Sequence, residues 1–385
     1  MISETAWWVS VFTISEAMIG YPISLIALNK IMHKTNNKNI DYEPTVTLMI
    51  VAHNEEKVIK EKLDNAISLN YPKEKYSILV ASDFSTDSTN TIVERYIEDH
   101  PNYNIRLHKS AKHMGKTNAQ NEAQKYVKSE ILVMTDANSI FEKDAIKELV
   151  SSFSADNIAY VSGQLIYLNT KNNKTAKSEG FYWKLDLLCR EIESNIQTIT
   201  AGNGAIYACR NKSYLDIKPI ECHDSKFPLI FALQGNRAIY NKKAIAYEKA
   251  GEVDSDEFKR KTRMNREILK NILPSLQILN IKKYRWFSYF YFGHRTCRYL
   301  LWIMHLLAFI FNIKLFKKSK FWKFTMVLQT AFYGTALWGW KKKNPNRVVK
   351  IITYYCMTVL AQWIAVYKII TGQSKPVWEK AESTR

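Results

Sequence analysis

The residues best placed to do chemistry are Asp136 and Asn138, which end the run Ile131-Leu132-Val133-Met134-Thr135-Asp136-Ala137-Asn138. The run is short and apolar, as a strand buried on both faces must be. On an extended segment, a carboxylate and an amide two residues apart present two oxygen donors to the same side. Mg2+ or Mn2+ prefers such donors, above all when a diphosphate supplies the remaining ligands. An Asp here could equally cap the helix expected from about Glu142, with Asn138 in a turn.

The elements that must hold these residues start at Thr45. Strands are expected over Thr45–Ala52, Tyr76–Ser82, Ile105–His108 and Ile131–Thr135, alternating with helices Glu55–Leu69, Thr86–Asp99 and Gly115–Lys128. That alternation implies an α/β fold, a parallel sheet with helices on both faces. Right-handed crossovers bring every carboxyl end to one edge, where ligands bind in such sheets. His53-Asn54-Glu55, Asp83 and Asp136/Asn138 all fall there. Each could be a helix cap. Together they point to a nucleotide site. The first strand–helix turn, Ala52-His53-Asn54-Glu55-Glu56, carries no glycine, which excludes a dinucleotide fingerprint and a P-loop. Phosphates would instead need a metal and basic side chains, for which Lys112 and Lys116 flank Gly115.

The net charge of +19 calls for an anionic partner, either nucleic acid or a membrane surface. The basic runs Lys314–Lys323 and Lys341–Lys350 adjoin long apolar, aromatic-rich segments, and nucleic-acid motifs are absent, so the membrane is favoured. Ala6–Leu28 has the length of a span, although Glu16 and Pro22 interrupt it. Lys30, His33, Lys34 and Lys38 follow it and place the next domain in the cytosol by the positive-inside rule. Trp286–Phe292 reads as an interfacial helix. Leu300–Ile313, Phe324–Trp340 and Ile351–Ile370 are further apolar segments, of which two or three cross. Three crossings would force a basic loop outward, so the short Leu300–Ile313 segment is the candidate for re-entry. Five cysteines without metal or redox spacing fit a reducing compartment. The expected organisation is an anchor over 1–29, a cytosolic domain over 44–272, a membrane region over 284–371 and a tail over 372–385.

Read in order, Val51-Ala52-His53-Asn54-Glu55-Glu56, Ala81-Ser82-Asp83-Phe84-Ser85-Thr86-Asp87, Gly115-Lys116-Thr117-Asn118-Ala119, Thr135-Asp136-Ala137-Asn138, Ala201-Gly202-Asn203-Gly204-Ala205 and His223-Asp224 resemble family-2 glycosyltransferases of the GT-A fold. The likeness covers roughly Thr45 to Asn271, and the apolar tail has the look of the membrane-bound bacterial polysaccharide synthases of that family. It implies a GT-A (nucleotide-diphospho-sugar transferase, Rossmann-like) domain between membrane segments, in the bacterial inner membrane.

The resemblance also implies roles. Ala52, His53, Glu55 and Asp83 would hold the nucleobase and ribose of a nucleotide-diphosphate sugar, and Lys116 its phosphates. Asp136 would bind the nucleotide, and with Asn138 would engage Mg2+ or Mn2+ where relatives have Asp-x-Asp. Asp224 would be the general base of an inverting hexosyl transfer. Arg260 and Arg263 lie where processive members carry Gln-x-x-Arg-Trp, and would meet acceptor or phosphate. Three departures stand out: His53 in place of Tyr, His223 before Asp224, and Lys259-Arg260-Lys261-Thr262-Arg263 in place of that last motif. They bear on base recognition, on the pKa of Asp224 and on processivity. The hexose would go to a hydroxyl of a glycan or lipid-linked acceptor, with transfer to a polyprenyl-phosphate or other lipid as the alternative. A catalytically inactive scaffold or export subunit is the reading from another class.

Overall fold

The computed structural model describes all residues except 33, 169–173, 250–253, 343–344 and 378–385; for 174–182 and 254 only the backbone is described. The core is one mixed sheet of eight strands: β1 (Val46–Ala52), β2 (Tyr76–Ser82), β3 (Ile105–Lys109), β4 (Ile131–Asp136), β5 (Ile140–Phe141), β6 (Ile158–Tyr167), β7 (Ile206–Arg210) and β8 (Arg237–Glu248). Their order is β3-β2-β1-β4-β7-β6-β8-β5. The four strands read from alternation are parallel and adjacent, with Val46 level with both Tyr76 and Ile131. Beyond them β7 runs antiparallel to β4 and to β6, and β8 pairs parallel with β6. The sheet is therefore wholly parallel in its first half and mixed in its second.

Side chains alternate across β1 and divide the core. Val46, Leu48 and Ile50 pack under the helices Ile59–Ile67, Thr89–Asp99 and Ala145–Ser151. Met49 and Val51 pack on the other face, under Lys116–Gln124 and His223–Leu233. Helices are thus found on both faces, as expected. All three helices expected between the parallel strands are shorter than their patterns: Ile59–Ile67, Thr89–Asp99 and Lys116–Gln124.

Ile2–Met32 and Arg347–Ile370 are long and apolar enough to cross a membrane. The first is continuous through Pro22 because a π-helical turn, Glu16–Gly20, precedes the proline and absorbs its missing amide. Trp286–Tyr299 and Leu301–Leu315 pass the same test only as a pair, bent by 63°. Such a bend marks either a broken span or a re-entrant loop over Leu300–Ile313. Phe324–Trp340 lies within a helix, Lys320–Lys341, that does not pass on its own. The basic turn before it returns to the start of the chain, where Lys318 pairs with Glu4.

A buried polar knot joins the sheet domain to the apolar helices. The Lys174–Ile196 helix supplies Asp186, Arg190 and Glu193. Glu193 accepts from Tyr21 Oη at 2.6 Å and faces His294 Nδ1 at 2.5 Å, while His294 Nε2 lies 2.9 Å from Asp186. Arg298 and Arg190 add bonds of 2.7 and 2.8 Å to Asp186. Burial alone would raise both carboxyl pKa values. His294 outweighs it at both, helped by Arg190 and Arg298 at Asp186 and by Tyr21 and Arg295 at Glu193.

A second buried contact locks two helices beneath the site. His223, 2 % exposed, faces Gln120 Oε1 with Nδ1 (2.8 Å) and the Tyr214 hydroxyl with Nε2 (3.1 Å). Burial, and secondarily the charge of Lys116, pushes its pKa down from 6.5 to about 3. The ring is therefore neutral in the fold, whereas the unfolded chain takes up a proton below about pH 6.5. Its contribution to stability is complete above that pH and is lost progressively as the pH falls towards 3. At pH 5 the loss is roughly 2 kcal/mol. Thermal unfolding in detergent should show the wild-type Tm falling between pH 7 and 5, and a clearly smaller fall for His223→Gln.

Candidate active site

The site lies at the carboxyl edge of β1, β2 and β4, and its centre is an ion pair. Lys116, the first residue of the Lys116–Gln124 helix, donates to Asp136 Oδ1 and to the Gly204 carbonyl at 3.1 Å. Burial lowers the pKa of this ammonium, but Asp136, with help from Asp224, raises it further, so the charge is secure. A Cβ built on Gly204 would lie 3.3 Å from Lys116 Nζ and 3.7 Å from Asp224 Oδ2. The two carboxylates thus flank one lysine, and only glycine leaves the space between them open.

Asp224 is the second residue of the His223–Leu233 helix. The helix cap is Cys222, so the capping role that an Asp could have played here is not what Asp224 does. Its backbone carbonyl accepts from Gly202 N at 2.6 Å, while its half-buried carboxylate accepts no hydrogen bond among the described residues. His223 does not touch it. Adjacent helical positions diverge, and the His223 ring is turned into the core, so the expected effect of His223 on Asp224 has no contact to act through.

Asp83, 1 % exposed, is held by its neighbours. Its carboxylate accepts from Gly115 N (2.8 Å), Met114 N (3.1 Å) and His113 Nδ1 (2.8 Å), and its carbonyl from His53 Nδ1 (2.7 Å). The two rings stack with centroids 3.7 Å apart and planes within 7°. Gly115 makes this possible: its φ is +97°, and its amide is the one aimed at Asp83. Ala52 is buried and accepts from Asp83 N at 2.9 Å, and Glu55 is 6 % exposed with its amide on Thr89 Oγ1.

Two groups of residues can be tested for a metal. His53, Asp83 and His113 are close enough to share an ion. Parallel rings 3.7 Å apart, however, aim their in-plane lone pairs alongside each other, each about 1.85 Å from the mid-plane, whereas a metal at about 2.1 Å needs them to converge. This set does not fit. Asp136 and Asn138 are the other pair. They share the turn closed by Ser139 N on the Asp136 carbonyl (3.2 Å). One Asp136 oxygen is on Lys116, and the Asn138 amide has no hydrogen-bond partner among the described residues.

Of the two arginines, Arg260 grips Glu257 with Nε (2.7 Å) and Nη2 (2.9 Å). Arg263 is held below its usual pKa by burial and by Arg260 and Arg266, with Cys222 and Asp136 opposing, which places it within electrostatic reach of Asp136. The sequence reading missed His113 and Lys62. The signal for Lys62 was its place among Ile59, Leu63 and Ala66 on the buried face of a helix. Its Nζ lies 3.1 Å from Thr135 Oγ1 and 4.2 Å from the Phe141 ring centre, and bonds the Ser139 carbonyl. Burial lowers its pKa to about 7, against the pull of Asp136 and Glu248.

Comparison with known proteins agrees with this layout. Residues 47–217 match the family model for Glycosyl transferase family 2. A beta-monoglucosyldiacylglycerol synthase of Synechocystis is 27% identical over 143 residues, which is 37% of this chain and 30% of the relative. A poly-beta-1,6-N-acetyl-D-glucosamine synthase of Staphylococcus aureus is 26% identical over 125 residues, 32% of this chain and 29% of the relative. The chain spans about 30% of the length of the curated relatives it matches. Among solved structures, a mannosyltransferase of Pyrobaculum calidifontis, in complex with GDP-Man and Mn2+, superposes with a TM-score of 0.73 at 18% identity, covering 96% of this chain and 99% of that one. Residues 47–217 thus match the Glycosyl transferase family 2 model, on a sheet and helices that share the GT-A fold of that mannosyltransferase and are set between apolar helices long enough to cross a membrane.

Proposed function

We propose that the chain moves a hexose from a nucleotide-diphosphate sugar to an acceptor hydroxyl at the membrane surface, with inversion, in the synthesis of a cell-surface glycan. The observation that carries the reading is the Asp136–Lys116 pair beside the unencumbered Asp224 carboxylate, across the gap left by Gly204. Asp136 and Asn138 would hold a divalent cation, which when bound neutralises charge on the departing diphosphate. Lys116 and Arg263 supply positive charge on the same side. Ala52, His53, Glu55 and Asp83 form the nucleoside end, with the pinned Asp83 fixing the His53–His113 stack. Asp224 takes the proton from the attacking hydroxyl, a role supported by its oxygens accepting no hydrogen bond among the described residues. Arg260 stands by for acceptor or phosphate, released from Glu257.

A lipid acceptor, such as a polyprenyl-phosphate, is the second reading. It draws on the diacylglycerol-linked relative and on the apolar helices packed against the domain. The orientation proposed puts the domain in the cytosol of a bacterial cell, on the basic residues Lys30, Lys34 and Lys38 at the domain end of the first apolar helix.

Three measurements test this. Purified chain in detergent, given Mn2+ and a panel of nucleotide sugars, should release nucleotide from one of them. Excess EDTA or Asp136→Ala should stop it, and undiminished release under either condition refutes the metal site. Asp224→Asn should fold normally, bind donor as the wild type does and turn over about 10² to 10⁴ times more slowly. Normal turnover removes Asp224 as base, whereas lost donor binding moves it into the nucleotide site. For orientation, a cysteine introduced at exposed Asn102, in a chain lacking its five cysteines, should react with an impermeant maleimide only after cells are opened. Labelling of intact cells reverses the topology.

A further inference from the structure

Lys62 occupies a position where the helix pattern calls for an apolar side chain. It is 0 % exposed, and its neighbours on that face, Ile59, Leu63 and Ala66, belong to the core. Burying an ammonium costs several kcal/mol unless each N–H finds a partner. Here each does. One points to Thr135 Oγ1 at 3.1 Å, one to the Ser139 carbonyl, and the Phe141 ring lies 4.2 Å from the nitrogen. Thr135 and Ser139 are the residues that bracket Asp136-Ala137-Asn138. Ser139 in turn donates its hydroxyl to Glu248 at the end of β8, so the lysine reaches the far half of the sheet through one side chain.

We propose that Lys62 is a positioning residue for the donor's metal–diphosphate: from beneath the sheet edge it clamps both ends of the Asp136–Asn138 turn and, through Ser139, fixes that turn to Glu248. The inference rests on the donor reading above, in which Asp136 and Asn138 face that group. A hydrogen-bonded tripod of this kind acts on the ligand only through the two side chains it orients. Outer partners of metal ligands commonly change metal affinity by about 10- to 100-fold. A purely structural lysine would behave differently: its loss would lower stability by leaving the Ser139 carbonyl and the Thr135 hydroxyl without their donor, and would leave metal affinity unchanged.

The experiment measures Mn2+ binding to the full chain in detergent, by the electron spin resonance of free Mn2+, with Mn2+ alone and with UDP or GDP added. Lys62→Met should remain folded, with a Tm lowered by the two lost hydrogen bonds, and bind Mn2+ with nucleotide about tenfold more weakly or worse. Asp136→Ala is the control. If Asp136→Ala loses binding while Lys62→Met keeps it, Lys62 is structural and the donor reading stands. If Asp136→Ala binds as the wild type does, the donor site lies elsewhere and both claims fall. Lys62→Gln, polar but uncharged and too short to reach both partners, is the second variant and should show the same loss. If both Lys62 variants unfold, the residue serves stability and the positioning role is rejected.

Discussion

The arrangement depends first on Glu193. This carboxylate is fully buried and takes hydrogen bonds from three separate parts of the chain: Tyr21 on the first apolar helix, His294 on the bent helix pair, and the amide of Thr200 at 3.2 Å. A buried charge survives only where its partners are already in place, and removing one costs roughly 3–5 kcal/mol. The knot can therefore close only when the apolar helices and the catalytic domain meet in one register. Hydrophobic packing alone would not fix that register, since one greasy face slides on another at little cost. Tyr21, Leu25, Cys189, Ile192 and Phe290 supply the packing around it.

From this knot the constraint runs directly into the catalytic centre. Thr200 begins the loop Thr200-Ala201-Gly202-Asn203-Gly204. Two residues on, Gly202 N reaches the Asp224 carbonyl, and two further on, the Gly204 carbonyl receives Lys116. A Cβ at Gly202 would fall 2.0 Å from the Tyr160 hydroxyl, so the loop cannot be redrawn with larger residues without moving the sheet beneath it. Five residues thus carry the position of the membrane-facing helices to both carboxylates of the site. The Asp136 side of the centre is fixed independently, by the strand it ends and by Lys62 behind it.

Much of this was legible in the sequence because it follows from local pattern. The four parallel strands, the helices between them and the polar residues at their ends are encoded in runs a few residues long, and Asp83, Lys116, Asp136 and Asp224 come to one edge as the strand ends require. The antiparallel half was not legible. A buried β7 with the sequence Ile206-Tyr207-Ala208-Cys209-Arg210 looks the same whichever way it runs. Asp83 illustrates a subtler limit. Its type and place were readable, but its saturation by His113, Met114 and Gly115 depends on a loop more than thirty residues away with a positive-φ glycine. His223 was read as a neighbour of Asp224 because it is adjacent in sequence, and helical geometry turned it to the opposite side.

The stretch that follows the last apolar helix reaches back to the start of the Lys116 helix. Its Pro376 carbonyl would lie 2.8 Å from a Cβ at Gly115 and accepts from Arg266 Nη1 at 3.2 Å, while Ser374 bonds the Arg266 carbonyl at 3.1 Å. The Gly115 turn is the one whose amide holds Asp83. The end of the Arg347–Ile370 helix and the turn that holds Asp83 are therefore in contact through Pro376 and tied together by Arg266. A helix of fixed apolar length adjusts its tilt to the thickness of the bilayer around it, and the strap that follows this helix is packed against the turn that holds Asp83.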